Sequence, residues 1–168
     1  VNPRACHETE LTYPAAAQPR RIAVVGAGPA GMMTAIVAAG RGHRVTLFDK
    51  EDAVGGQLNL AMEVPGKEEF RGLVAWFAAS LRHPNITLRL AQAATADDLA
   101  GFNAVVVATG VVPRDPGIPT EAGSHVLSYV DVLKGAAVGA RVAIVGAGGI
   151  GFDVAEALVQ GDVRPTLD

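Results

Sequence analysis

With 168 residues, 49% of them hydrophobic, the chain can bury one substantial core and has the size of one domain or one and a fraction. Its formal net charge of -3, with Lys and Arg scattered along the sequence, excludes the electrostatic footprint of a nucleic-acid binder or of a protein docked on an anionic membrane. A single cysteine, Cys6, rules out an internal disulfide and cannot alone build a zinc or iron–sulfur site, so the cytoplasm is the expected location.

Residues 1–20 are rich in Pro, Ala and charge without periodicity, which predicts an irregular arm. The arm begins Val-Asn-Pro-Arg, with neither an initiator methionine nor the basic and apolar regions of a signal peptide, and reads as cut from something longer. Ile22 to Val25 and Val45 to Phe48 are short apolar runs that predict strands, with Pro29 to Arg41 between them as a helix. The apolar stretch from Pro29 to Gly40 is shorter than the roughly 20 residues of a membrane-spanning helix and follows a glycine-rich turn, so it predicts a buried helix. Together these make a β-α-β unit.

From Gly66 onward, Phe70, Leu73, Val74, Phe77 and Leu81 recur at helical spacing and predict the buried stripe of an amphipathic helix, stopped by His83 and Pro84. Ile86, Leu88 and Leu90 alternate with polar residues as a half-buried strand does. Thr95 and Asp98 stand at capping-box spacing before a short helical turn. Ala104 to Val107 then predicts a buried strand. Pro113, Pro116 and Pro119 forbid a helix interior or a central strand in the segment that follows, which reads as an extended linker. A short strand over Val126 to Ser128, a helical turn at Asp131 to Lys134, a strand over Val142 to Val145 and a helix from Phe152 to Val159 complete the reading.

The chemistry is carried by Gly26-Ala27-Gly28-Pro29-Ala30-Gly31, a G-x-G-x-x-G pattern between a predicted strand and a predicted helix. Gly26 permits the tight turn, Gly28 lets backbone approach a pyrophosphate, and Gly31 lets the helix pack on the strand. The helix N-terminus offers free N–H groups and a partial positive charge to the phosphates. Asp49, at the end of the next strand, is placed to accept hydrogen bonds from the hydroxyls of an adenosine ribose, and its carboxylate would repel a 2′-phosphate. FAD or NAD, rather than NADP, is therefore expected at this first site.

Gly55, Gly56 and Gln57 either bring loop backbone against the same pyrophosphate or form an ordinary turn. Ala108, Thr109 and Gly110 either line the crevice at the carboxyl end of a parallel strand or are simply a strand end. A second fingerprint, Gly146-Ala147-Gly148-Gly149-Ile150-Gly151, again stands between a predicted strand and a predicted helix, so two nucleotide sites are expected, one for a flavin and one for a nicotinamide. His7, His43, His83 and His125 have no spacing that suggests shared metal ligation, and nothing completes a catalytic set around Cys6. No catalytic and no metal-ligating residue is expected. The predicted fold is α/β, a Rossmann-like parallel sheet followed by the first unit of a second dinucleotide-binding domain.

On these motifs, and on Val1-Asn2-Pro3-Arg4-Ala5-Cys6-His7-Glu8, Pro65-Gly66-Lys67-Glu68-Glu69-Phe70 and Gly149-Ile150-Gly151-Phe152-Asp153, nearly the whole chain resembles the NADPH-dependent 2,4-dienoyl-CoA reductases. Those proteins join an Old-Yellow-Enzyme-like barrel to FAD and NADPH domains, a layout shared with trimethylamine dehydrogenase. The resemblance implies an arm at 1–20, the N-terminal portion of an FAD-binding domain at 21–138, and the start of an NAD(P)H-binding domain at 139–168. It also implies that NADPH reduces FAD here, and that electrons continue through a [4Fe–4S] cluster to FMN in the barrel of the full-length parent, which would reduce a dienoyl thioester. By the same resemblance Gly26, Gly28, Pro29, Ala30, Gly31, Asp49, Lys50, Gly56, Gln57, Leu58, Ala94, Ala108, Thr109 and Gly110 would contact FAD. Gly146, Gly148, Gly149 and Ile150 would approach NADPH. The implied partners are the two dinucleotides and the barrel and C-terminal segments of the same polypeptide. Alternatives are a module of an amine dehydrogenase or NADH oxidase, and a dinucleotide-binding module without turnover.

Overall fold

A computed structural model of the chain describes residues 4–160. They divide into two compact units, one formed by the residues up to Gly56 with Trp76–Gly110, the other by Gln57–Ala75 with the residues from Val111 onward. Residues 4–20 contain turns but no helix or strand.

The first unit is built on strand β1 (Arg21–Val25), helix α1 (Pro29–Gly40) and strand β2 (Arg44–Phe48). Strands β3 (Ile86–Arg89) and β4 (Ala104–Val107) complete a four-stranded, all-parallel sheet in the order β3-β2-β1-β4. Val24 pairs in register with Leu47 on one side and with Val106 on the other. This is the α/β, Rossmann-like sheet expected from the alternation of apolar runs and glycine turns. Ala23, Val24, Val45, Leu47 and Phe48 of the sheet are buried, as are Met32, Ala35 and Ala39 of α1. The alanines on the inner face of α1 let the helix lie close on β2. Burying a side chain such as Leu47 contributes about 1.5–3 kcal/mol relative to leaving it exposed.

The order of the strands matters for the site. The chain lays β1, β2 and β3 outward in one direction and then returns to place β4 on the far side of β1. The strand order therefore reverses between β1 and β4, and in open α/β sheets ligands bind beyond the carboxyl ends of the strands at such a reversal.

Helix α2 (Leu58–Ala61), helix α5 (Tyr129–Leu133) and helix α6 (Gly149–Gln160) belong to the second unit, where α5 packs on α6 and Val64 and Val154 are buried. Helix α3 (Glu69–Ser80) carries the expected apolar stripe, with Phe77 and the following Leu81 buried. Leu73 of that stripe is exposed instead. Helix α4 (Ala96–Leu99) opens on the capping box foreseen at Thr95 and Asp98: the Asp98 N–H donates to Thr95 Oγ1, and the Thr95 N–H donates to Asp98 Oδ2 at 2.9 Å.

Three expectations need correction, and one helix is new. Strand β4 is not buried: it lies at the edge of the sheet formed by the described residues, Val105 and Val107 are exposed, and an apolar run cannot by itself tell an edge from a centre. Val142 to Val145 is not a strand, because no other strand of the described residues hydrogen-bonds to it, and pairing is what makes a strand. Val126 to Ser128 is not a strand either; Ser128 caps α5, accepting from the Asp131 N–H while its own N–H donates to Asp131 Oδ2. Helix α2, a single turn after a glycine pair, had no periodicity from which to be read. Among the described residues no helix is long and apolar enough to cross a membrane, and no group of three or more His, Cys, Asp or Glu could hold a metal ion.

Candidate functional site

The first glycine motif occupies the turn from β1 into α1. The Gly26 N–H donates to the Phe48 carbonyl at 2.8 Å, and Gly26 adopts φ +109, a left-handed conformation that favours glycine. A Cβ on Gly26 would collide with the Ala108 carbonyl, and one on Gly31 would collide with the carbonyl of Gly26. The turn and the first coil of α1 are thus packed backbone to backbone. Gly28 differs: no atom lies within 4 Å of where its Cβ would be. It is the one glycine of the three that is left open.

Gly28 is the N-cap of α1, and Pro29 begins the helix without needing a backbone donor. No side chain caps this terminus and its first turn holds no acidic residue. The N–H groups at the start of a 12-residue helix are therefore uncompensated by the chain itself, an arrangement suited to an anion. Thr34 Oγ1 donates back to the Ala30 carbonyl at 2.7 Å and leaves that end unobstructed.

Asp49 closes the other side of the turn. Its Oδ2 accepts from the Ala27 N–H and its Oδ1 from the Glu51 N–H at 2.9 Å. Its backbone is held as well, with the Asp49 N–H donating to the Arg89 carbonyl and the Gln92 N–H donating to the Asp49 carbonyl. The carboxylate braces the glycine turn as well as standing where a ribose hydroxyl is expected, and a carboxylate has acceptor sites for both.

The Gly55 N–H donates to the Ala27 carbonyl at 2.9 Å, and Gly56, at φ +55, lies so close that a Cβ there would come within 2.9 Å of Gly28 Cα. The glycine pair thus lies backbone to backbone against the first motif. Ala108 is tied to β1 by donating to the Val25 carbonyl at 2.8 Å, which sets Ala108, Thr109 and Gly110 beside the Gly26 turn at the reversal of strand order. The structure therefore brings together Gly26 to Gly31, Asp49, Gly56 and Ala108 to Gly110. Lys50 is exposed on the same loop, 3.8 Å from Glu51 Oε1. Ala94 is half-buried in the loop between β3 and α4. Gln57 and Leu58 fall in the second unit as the N-cap and first residue of α2, with Gln57 Nε2 donating to the Val111 carbonyl at 3.2 Å.

The second glycine motif repeats the turn into the helix, although no neighbour crowds Gly146 as Ala108 crowds Gly26. Gly146 adopts φ +123, a Cβ on Gly151 would collide with the Gly146 carbonyl, and the Phe152 N–H donates to the Gly148 carbonyl at 3.2 Å as the Met32 N–H donates to that of Gly28 at 2.9 Å. Gly148 and Gly149 have no atom near a would-be Cβ, and Ile150 is exposed. The turn is formed although the residues before it pair with no strand. One contact is invisible in the sequence: Lys67 Nζ donates to Asp153 Oδ2 at 2.7 Å, tying the Pro-Gly-Lys stretch to the first coils of α6.

The histidines form no cluster. His7 Nδ1 is 3.2 Å from Glu10, His43 Nδ1 accepts from the Arg20 N–H, and His83 Nδ1 accepts from the Asn85 N–H. Cys6 is exposed.

This geometry agrees with what the chain is similar to. The pyridine nucleotide-disulphide oxidoreductase family matches residues 20–167. A metal reductase of Desulforamulus reducens is 38% identical over 95% of this chain and 25% of its own length. An NADH oxidase of Thermoanaerobacter brockii is 35% identical over 88% of this chain and 24% of its own. Among solved structures, a 2-naphthoyl-CoA reductase superposes with a TM-score of 0.81 at 32% identity, over 94% of this chain and 25% of that one. The chain spans about a quarter of the length of these relatives. With an FAD/NAD(P)-binding fold and a family match over nearly its whole length, the chain belongs to the pyridine nucleotide-disulphide oxidoreductase family.

Proposed function

We propose that this chain is the dinucleotide-binding portion of a longer flavin-dependent oxidoreductase, that it holds FAD at the first glycine turn and NADPH at the second, and that it admits electrons for the reduction of a 2,4-dienoyl-CoA thioester elsewhere in the same polypeptide. The observation that carries the reading is the duplication of one glycine turn at a helix start, at Gly26 to Gly31 and again at Gly146 to Gly151. Two such turns in one chain serve two dinucleotides, and a flavin with a nicotinamide is the pair that exchanges a hydride.

The residues present fit these groups. The uncapped N-terminus of α1 and the open Gly28 would receive the FAD pyrophosphate, and Asp49 would take the adenosine ribose. Ala108 to Gly110, with Gly56, would border the cofactor with small residues only. The open Gly148 and Gly149 at the start of α6 would receive the second pyrophosphate. Bound FAD would supply the two-electron acceptor that no side chain can provide. The role of this chain is to bind and orient, and none of its residues serves as acid or base toward the substrate.

The finer assignment rests on the likeness to the 2-naphthoyl-CoA reductase, a protein named for a conjugated CoA thioester. An FMN barrel and a [4Fe–4S] cluster would draw their ligands from outside the described residues, and the protein would work in the cytoplasm. The likeness to an NADH oxidase supports a second reading, in which the bound flavin passes electrons to oxygen.

The test is the visible spectrum of the full-length protein before and after anaerobic NADPH. Flavin bands with an iron–sulfur shoulder that all bleach, followed by turnover of a dienoyl thioester, are the expected result. Bleaching that is reversed only by oxygen would favour the oxidase. Binding without bleaching would mean a module that holds dinucleotides without turnover, and failure to take up FAD on reconstitution would sink the flavoprotein reading.

A further inference from the structure

Lys67 and Asp153 stand 86 residues apart in the sequence, yet Lys67 Nζ donates to Asp153 Oδ2 at 2.7 Å within the second unit. Both side chains are partly covered, at 37% and 31% exposure. The lysine is presented by a shaped turn: Gly66 adopts φ +78, its N–H donates to Glu68 Oε1 at 3.2 Å, and the Lys67 N–H donates to the Val64 carbonyl at 3.1 Å. The buried Val64 anchors that turn. Asp153 lies one coil inside α6, behind the open Gly148 and Gly149.

A carboxylate in the second turn of a helix gains little from the helix dipole, but it opposes the arrival of an anion at the nearby terminus. The Lys67 ammonium removes that opposition and ties the start of α6 to the Pro65–Gly66 turn. Partly exposed ion pairs add little to stability, so the contact is poorly explained as a fold stabiliser.

We infer that Lys67 and Asp153 are positioning residues for the nicotinamide dinucleotide: their ion pair fixes the amino end of α6 and offsets the carboxylate charge beside the second glycine turn. This rests on the reading of that turn as the NAD(P)H site.

The experiment uses the full-length, FAD-loaded protein with NADPH as the probe and ferricyanide as the electron acceptor. Saturable binding of NADPH by the unaltered protein establishes the site, and its absence would count against the site itself rather than against the pair. Given binding, Lys67→Met is expected to raise the KM and Kd for NADPH about threefold to fivefold, with kcat and FAD content unchanged. The exchanged pair, Lys67→Asp with Asp153→Lys, is expected to restore most of the affinity. An unchanged KM in Lys67→Met would overturn the inference. So would failure of the exchanged pair to recover affinity, since Lys67 would then act on the phosphates directly. Should Lys67→Met fail to fold, Lys67→Gln read against Lys67→Arg decides, with KM raised in the first and near the unaltered value in the second.

Discussion

The carboxylate of Asp49 accepts a hydrogen bond from the backbone N–H of Ala27, so the residue that follows β2 braces the turn that follows β1. One side chain then serves both the shape of the phosphate loop and the proposed ribose contact. Hydrogen bonds to a charged group contribute about 1.5–3 kcal/mol. Asp49→Ala is therefore expected to weaken FAD binding about tenfold to a hundredfold. The ratio of flavin to protein absorbance after gel filtration measures it, and an unaltered ratio would refute the dual role.

The two glycines at the ends of the first motif's helix turn predict opposite phenotypes. A methyl group at Gly31 would meet the carbonyl of Gly26, whereas one at Gly28 would meet nothing within 4 Å. Gly31→Ala should cost about 1–3 kcal/mol or more of stability, as overpacking against backbone does. Gly28→Ala should change stability by less than about 1 kcal/mol, Ala being only a poorer N-cap, yet should abolish FAD uptake because its methyl occupies the space reserved for the pyrophosphate. Denaturant unfolding separates the first effect and flavin content the second. Equal stability of the two variants would contradict the packing described here.

The β1-α1-β2 unit and its glycines were legible in the sequence because strand, turn, helix and strand each leave a local pattern at their own period. Thr95 and Asp98 were legible for the same reason, and Ser128 and Asp131 carry the same spacing. The exposure of Val107 was not legible, since the run Ala104 to Val107 looks the same at an edge as in the middle of a sheet. The unpaired state of Val142 to Val145 depends on a neighbour rather than on its own residues. Lys67 and Asp153 meet only through the tertiary fold, and no spacing rule joins residues 86 positions apart.

The two capping boxes predict a definite response to acid. The hydroxyl of Thr95, and then its backbone N–H, hold the Asp98 carboxyl below its ordinary value of 3.8; Ser128 does the same for Asp131. Because both folded-state values lie below the unfolded ones, the stability these contacts contribute is present above the ordinary value and is lost as pH falls through the folded-state values. Thr95→Val removes the hydroxyl that leads the effect, so the Asp98 carboxyl should titrate closer to 3.8, while Asp131 should stay where it is. Carboxyl NMR titration of both residues in one variant supplies its own control. A joint shift would mean that the cause lies outside the caps.

Leu47 and Val107 test the contrast between centre and edge within one sheet. Leu47 is wholly buried on β2, whereas Val107 ends β4 with 73% of its surface exposed. Leu47→Ala removes buried methyl groups that the packed α1 cannot follow, at a cost of about 2–5 kcal/mol. Val107→Ala removes atoms that already face outward and should cost less than about 1 kcal/mol. Both residues are apolar and both sit near the carboxyl ends of parallel strands, so hydrophobicity alone would predict similar losses. Thermal unfolding of the two variants distinguishes the cases. If Val107→Ala in the full-length protein proved as damaging as Leu47→Ala, the outer face of β4 would have to be covered there by residues beyond those of this chain.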